Sequence, residues 1–154
     1  MLAFTIHDTK AFMHLLLKGD TFDAFQFRQG EWVTFASFYL EGKRNMAYYT
    51  QEETEAGLSP YVTWGEMRPF VFHALKGNRL PSQIKLVFAL SEEKLCHLPN
   101  TKAAFLNLLF RENTLRVTTA LSQEEFSLDR QSEALWEEYV LKFFKKQRIP
   151  IVLE

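Results

Sequence analysis

Apolar and polar positions change period several times along the chain, and each change marks an element. Leu2, Phe4 and Ile6 alternate with small or polar residues and predict a strand over 2–6. Asp8 then caps a helix whose Phe12, Leu15 and Leu16 recur at helical spacing until Gly19 stops it. Two β-rich runs follow, over 22–28 and 31–41, with Gln29 and Gly30 as the turn between them. In the second run Trp32, Phe38 and Leu40 alternate against Val33, Phe35 and Tyr39. A third strand over 46–50, after a turn at Gly42, completes an antiparallel meander.

Residues 51–60 carry Glu52, Glu53 and Glu55 with Gly57 and Pro60, lose the apolar period, and read as a solvated loop. Thr63 and Glu66 have the spacing of a capping box, whereas Pro69 suits the first turn of a helix better than its interior. The pattern therefore predicts one turn before Pro69 and a helix over 69–76 ended by Gly77. A connector over 78–81 leads into a strand over 83–90, with Ile84, Leu86, Phe88 and Leu90 on one face. Ser91 opens a short helix that Pro99 ends, and runs over 104–111 and 114–121 form a hairpin turning at Glu112 and Asn113. The last helix is the clearest: Trp136, Tyr139, Val140, Phe143 and Phe144 make one stripe, with Glu133, Glu137 and Glu138 early and Lys142, Lys145 and Lys146 late. Strand clusters mixed with helices of unequal length, without regular βα alternation, predict an α+β fold. It is a mainly antiparallel sheet against a long C-terminal helix and shorter helices, with 1–154 as a single domain.

Composition adds three constraints. The 15 phenylalanines among 154 residues make rings the main currency of the core. Lys and Arg number 18 against 19 Asp and Glu, so no global field draws the chain to nucleic acid or an anionic membrane. The single cysteine, Cys96, excludes an intramolecular disulfide and is too little sulfur for a cysteine-based zinc site; half-buried packing is its expected role. With no secretory pattern at the N-terminus and no apolar run long enough to span a bilayer, the chain is expected to be cytoplasmic.

Three stretches, 4–23 with Phe4, His7 and Phe12, 64–85 with Trp64, Pro69 and Pro81, and 106–136 with Phe126 and Trp136, are similar in order and spacing to a known family. The chain resembles uncharacterised proteins from Clostridia and related Firmicutes, a domain of unknown function covering essentially its whole length. The resemblance implies a bacterial cytoplasmic protein and supplies no activity or site residue.

The familiar chemical motifs are missing. The glycines form neither a dinucleotide fingerprint nor a phosphate loop, and His7, His14, His73 and His97 have no metal-ligand spacing. Cys96 and His97 are adjacent, so on a helix they point about 100° apart, a poor geometry for proton transfer. The richest segment is 64–85, where Trp64, Glu66, Arg68, His73, Lys76 and Arg79 gather around prolines and glycines. Arg68 suits a bidentate contact to phosphate or carboxylate, with Lys76 and Arg79 adding charge. The structural alternative is that Glu66 caps a helix, Arg68 pairs with an acid and the rest are solvated.

Two functional readings follow. The first is a non-catalytic binding or assembly module, acting on a protein partner or on a second copy of itself. It assigns no catalytic residue, metal or cofactor, involves no membrane, and disfavours nucleic acid. The second is an enzyme or carrier for a small anionic ligand, with Glu66 or His73 as acid or base and Arg68 and Arg79 as the anion clamp; it requires a concave pocket around those side chains.

Overall fold

The computed structural model describes residues 1–77 and 79–154; Asn78, at the head of the expected connector, lies outside them. The elements in chain order are β1 (Ala3–Ile6), α1 (Thr9–Leu17), β2 (Gln26–Val33), β3 (Ser37–Glu41), α2 (Gln51–Glu55) and α3 (Trp64–Leu75). They continue with β4 (Gln83–Ala89), α4 (Glu92–Leu95), β5 (Thr101–Arg111), β6 (Thr114–Gln123), α5 (Gln131–Lys146) and β7 (Ile151–Leu153). The strands form one sheet in the order β3-β2-β4-β5-β6-β1-β7, every neighbouring pair antiparallel. This is the α+β architecture predicted from the pattern of elements.

One face of the sheet carries the core. Phe4, Ile84, Leu86, Phe88, Leu106, Leu108 and Val117 point inward and meet Phe12 and Leu16 of α1, Trp64 and Val71 of α3, and Trp136, Val140 and Phe144 of α5. Phe22 sits at the aromatic centre, its ring 5.4 Å from Phe12, 5.5 Å from Phe143 and 6.0 Å from Phe144. Such tilted and edge-on contacts add to the area each ring removes from water. Two buried indoles tie layers together: Trp64 Nε1 donates to the Leu16 carbonyl at 2.9 Å and Trp136 Nε1 to the Phe105 carbonyl at 3.0 Å.

Several elements differ from the sequence reading, each for a physical reason. Gly30 is no turn: it lies inside β2, paired with Leu86 and Leu40, and a Cβ there would meet the Phe27 ring at 3.0 Å. The glycine makes room for a ring, and the hairpin turns at 34–36 instead. Phe22 and Phe25 belong to an irregular segment that delivers rings to the core rather than to a strand. Met46–Tyr48 is a 3₁₀ turn capped by Asn45, not a third strand. The segment after it opens on a helix, α2, nucleated by a capping box in which Thr50 and Glu53 satisfy each other's backbone N–H groups. All five of its residues are exposed, so no apolar period betrays it.

Pro69 stands inside α3, which runs unbroken from Trp64 because the Thr63–Glu66 capping box and the buried Trp64 hold its first turn. The helix ends by extended backbone at Lys76 (φ -66, ψ 141), without a left-handed glycine. The Glu112–Asn113 turn is as read, with φ 53 and 59, the two positive values a two-residue hairpin needs. Strand β7, only three residues long, was not anticipated; it pairs with β1 and closes that edge of the sheet.

Candidate functional site

The six side chains singled out in the sequence divide along α3. Trp64 is fully buried beside Phe27 and Phe88, so its ring is core. Glu66 accepts the Thr63 backbone N–H at 3.2 Å and the guanidinium of the buried Arg44 at 3.1 Å. Arg68 forms the two-pronged contact its shape favours, with Nε and Nη2 at 2.9 and 2.8 Å from the Asp23 carboxylate. That hydrogen bonding holds Arg68 more firmly protonated than an ordinary arginine. Gly65 permits the pair, since a Cβ there would stand 3.1 Å from Asp23 Cβ. These three residues therefore hold α3 in place and do not pair with one another.

His73, Lys76 and Arg79 are exposed at the other end of the helix, with Glu66 and Lys76 about 15 Å apart at 1.5 Å rise per residue. Lys76 and Arg79 open onto a groove of about 630 Å³ between α1, the last turn of α3 and the connector into β4. Met13 and Leu17 of α1 form one wall, Phe72 and Leu75 of α3 another, and Ile84 and Phe110 of the sheet the floor. Leu80 and Pro81 close the end, Leu80 being 76% exposed.

The charge in this groove is one-sided. Its charged lining residues are Lys10, Lys18, Lys76 and Arg79, with no carboxylate among them. Within the described residues none of the four makes an ion pair, and the Lys18 ammonium lies 5.6 Å from the Phe72 ring centre, a cation–π contact. Among the described residues the lining holds no histidine, cysteine, aspartate or glutamate, and cations beside apolar walls are a combination able to hold an anion with an apolar body. Of the six predicted residues it brings Lys76 and Arg79 together, with two lysines from α1 that were not singled out. Their signal was present: Lys10, Met13, Leu17 and Lys18 share a face at i, i+3, i+7 and i+8. Cys96 is exposed rather than half-buried, its Sγ donating to the Glu93 carbonyl.

A family model described as a family of unknown function, DUF5721, matches residues 14–151. The chain belongs to DUF5721. No curated protein and no solved structure matches it. The range shared with DUF5721 takes in α3, the connector and three of the groove's cations; it begins inside α1, after Lys10 and Met13. No helix of this DUF5721 chain is long and apolar enough to cross a membrane among the described residues.

Proposed function

We propose that the protein is a non-catalytic binding module of the bacterial cytoplasm, and that its ligand is a small amphipathic anion with a carboxylate or phosphate head on an alkyl body. One observation carries this reading: an apolar groove whose only charged lining residues, among the described ones, are Lys10, Lys18, Lys76 and Arg79. Apolar burial along the half-buried Met13, Leu17 and Phe72 supplies affinity at about 25 cal/mol per Å² removed from water, and the cations select the head group.

The test is a fluorescence titration with cis-parinaric acid, a fatty acid that brightens when it leaves water. Saturable binding is expected, weakening as salt is raised because the cations are exposed. The double variant Lys76→Glu/Arg79→Glu reverses two of the four charges and is expected to weaken binding at least about tenfold, or about 1.4 kcal/mol. Non-saturable fluorescence, or an affinity that the double variant leaves unchanged, refutes the proposal.

A further inference from the structure

The helices cover one face of the sheet, and strand register fixes what stands on the other. Val87 lies across from Gln29 and Asn107, and Asn107 across from Thr118. One step along the strands, Lys85 lies across from Glu31 and Leu109, and Leu109 across from Arg116. In the other direction Ala89, Phe105 and Ala120 form a row. Small residues at 118 and 120 are ringed by the long side chains of Arg28, Tyr61, Lys85 and Arg116, which makes a cup of about 650 Å³. That is the size of a small-molecule site. Its floor holds Val87, Phe105 and Leu109, all half-buried.

Two cations in the cup are uncommitted. The register shift between Phe27 and Gln29 frees Arg28 from the regular alternation of β2, and its guanidinium lies 3.8 Å from the Tyr61 ring centre and 5.4 Å from that of Phe105. Its Nε donates to Gln26 at 3.2 Å, while among the described residues neither terminal nitrogen has a hydrogen-bond partner in the protein. Lys85, likewise, has no carboxylate within ion-pair distance among them, although Glu31 faces it across the strands. Arg116 differs, being neutralised by Glu154 at 2.8 Å. Glu41 is the one carboxylate that lines the cup. A single strong anion fits this balance, whereas a polyanion meets Glu41 and a neutralised Arg116.

We infer that this uncovered sheet face is a second ligand site, for a planar ring carrying one phosphate or a pair of carboxylates. The ring lies on Val87 and Leu109. The anion sits on the free terminal nitrogens of Arg28, the Lys85 ammonium adds positive charge from the Leu109 row farther along the strands, and Asn107 and Thr118 supply hydrogen bonds to polar atoms on the ring. Stacking on Tyr61 fixes the guanidinium plane before the ligand arrives, so little side-chain entropy is lost on binding.

The experiment is a backbone-amide NMR titration with adenosine 5′-monophosphate and, separately, with phthalate. Shifts at Val87, Asn107 and Thr118 with the nucleotide alone assign a phosphate ligand, and with phthalate alone a dicarboxylate. Arg28→Gln and Lys85→Gln are each expected to weaken the bound probe at least about tenfold, with Tm moving by less than about 3 °C. Silence at those amides with both probes overturns the inference, as does an unchanged affinity in both variants. The cup shares no lining residue with the groove above, so failure of either reading leaves the other standing.

Discussion

Arg44 offers the sharpest test of how the region around α3 is held. Its side chain is 5% exposed, and it is bonded on every side. Nε donates to the Ser59 carbonyl at 2.8 Å, Nη1 to the Tyr49 hydroxyl at 2.8 Å, and Nη2 to the Tyr61 carbonyl at 3.3 Å and the Glu66 carboxylate at 3.1 Å. Replacing Arg44 with Met keeps the apolar stem and removes every donor. The Glu66 carboxylate, 49% exposed, returns to water at small cost, and the Tyr61 carbonyl keeps the Ser59 hydroxyl at 2.6 Å, whereas the Ser59 carbonyl loses its charged donor in a part-buried setting. At about 1–3 kcal/mol for one acceptor left unsatisfied, the loss comes to about 2 kcal/mol. For a chain of this length that lowers Tm by about 4–8 °C. The partner variant Glu66→Gln keeps a side chain able to cap α3 and gives up only a half-exposed charge, a loss of under about 1 kcal/mol. Thermal and urea unfolding of both variants read the difference. Equal destabilisation by the two, or a loss of under about 1 kcal/mol for Arg44→Met, refutes the argument that the part-buried Ser59 carbonyl carries the cost.

Gly42→Ala is expected to destabilise by about 3 kcal/mol or more, because the added Cβ would fall 1.7 Å from the Phe27 carbonyl oxygen, a backbone atom with no room to yield. Gly77→Ala, whose Cβ would meet nothing within 4 Å, is expected to be neutral or stabilising by under about 1 kcal/mol; equal urea midpoints for the two alanine variants would sink this contrast. Acid should destabilise the fold. The carboxyls of Glu53, beside the Thr50 backbone N–H, Glu138, beside Lys142, and Glu154, beside Arg116, all lie below their ordinary value of 4.5. Depressed folded values mean that the unfolded chain binds more protons in acid, so the stability they contribute is complete above about pH 4.5 and is lost as pH falls through the folded values. A Tm that stays constant from neutral pH to about pH 3 contradicts this.

The parts of the fold that show in the sequence are those where local chemistry and tertiary packing agree. The α5 stripe from Trp136 to Phe144 points into the core as its period demands, and Asp8 caps α1 by accepting the Ala11 N–H at 3.1 Å. The Glu112–Asn113 hairpin has strands whose inner residues, Leu106, Leu108, Leu115 and Val117, alternate cleanly. What was hidden depends on contacts far away in the chain. Gly30 and Gly42 look like turn residues, yet both exist to make room for Phe27. Strand β7 is too short to carry a period and forms because β1 offers it an edge. The site residues divided for the same reason. Arg68 reads as an anion clamp until Asp23, which lies 45 positions away, is placed against it. Lys10 and Lys18 read as ordinary surface lysines until α1 is laid beside the end of α3.

The two concavities are joined through the sheet by its alternation. On β4, Ile84 faces the groove and Lys85 the cup; on β5, Phe110 faces the groove and Leu109 the cup. Adjacent residues of the same two strands thus line sites on opposite faces. A one-residue slip of β4 against β5 would exchange Ile84 and Lys85 between the faces while Leu109 and Phe110 kept theirs, so the buried face that fixes register for stability also fixes the composition of both concavities. The charge pattern has the same economy. Arginines that hold structure, Arg44, Arg68 and Arg116, are each matched by a carboxylate within 3.1 Å, while among the described residues the cations of the groove and Arg28 and Lys85 of the cup are left without one. A chain with net charge -1 thereby keeps two local surpluses of positive charge. At physiological salt the screening length of about 8 Å confines each surplus to its own face, which is what the two proposed anion sites require.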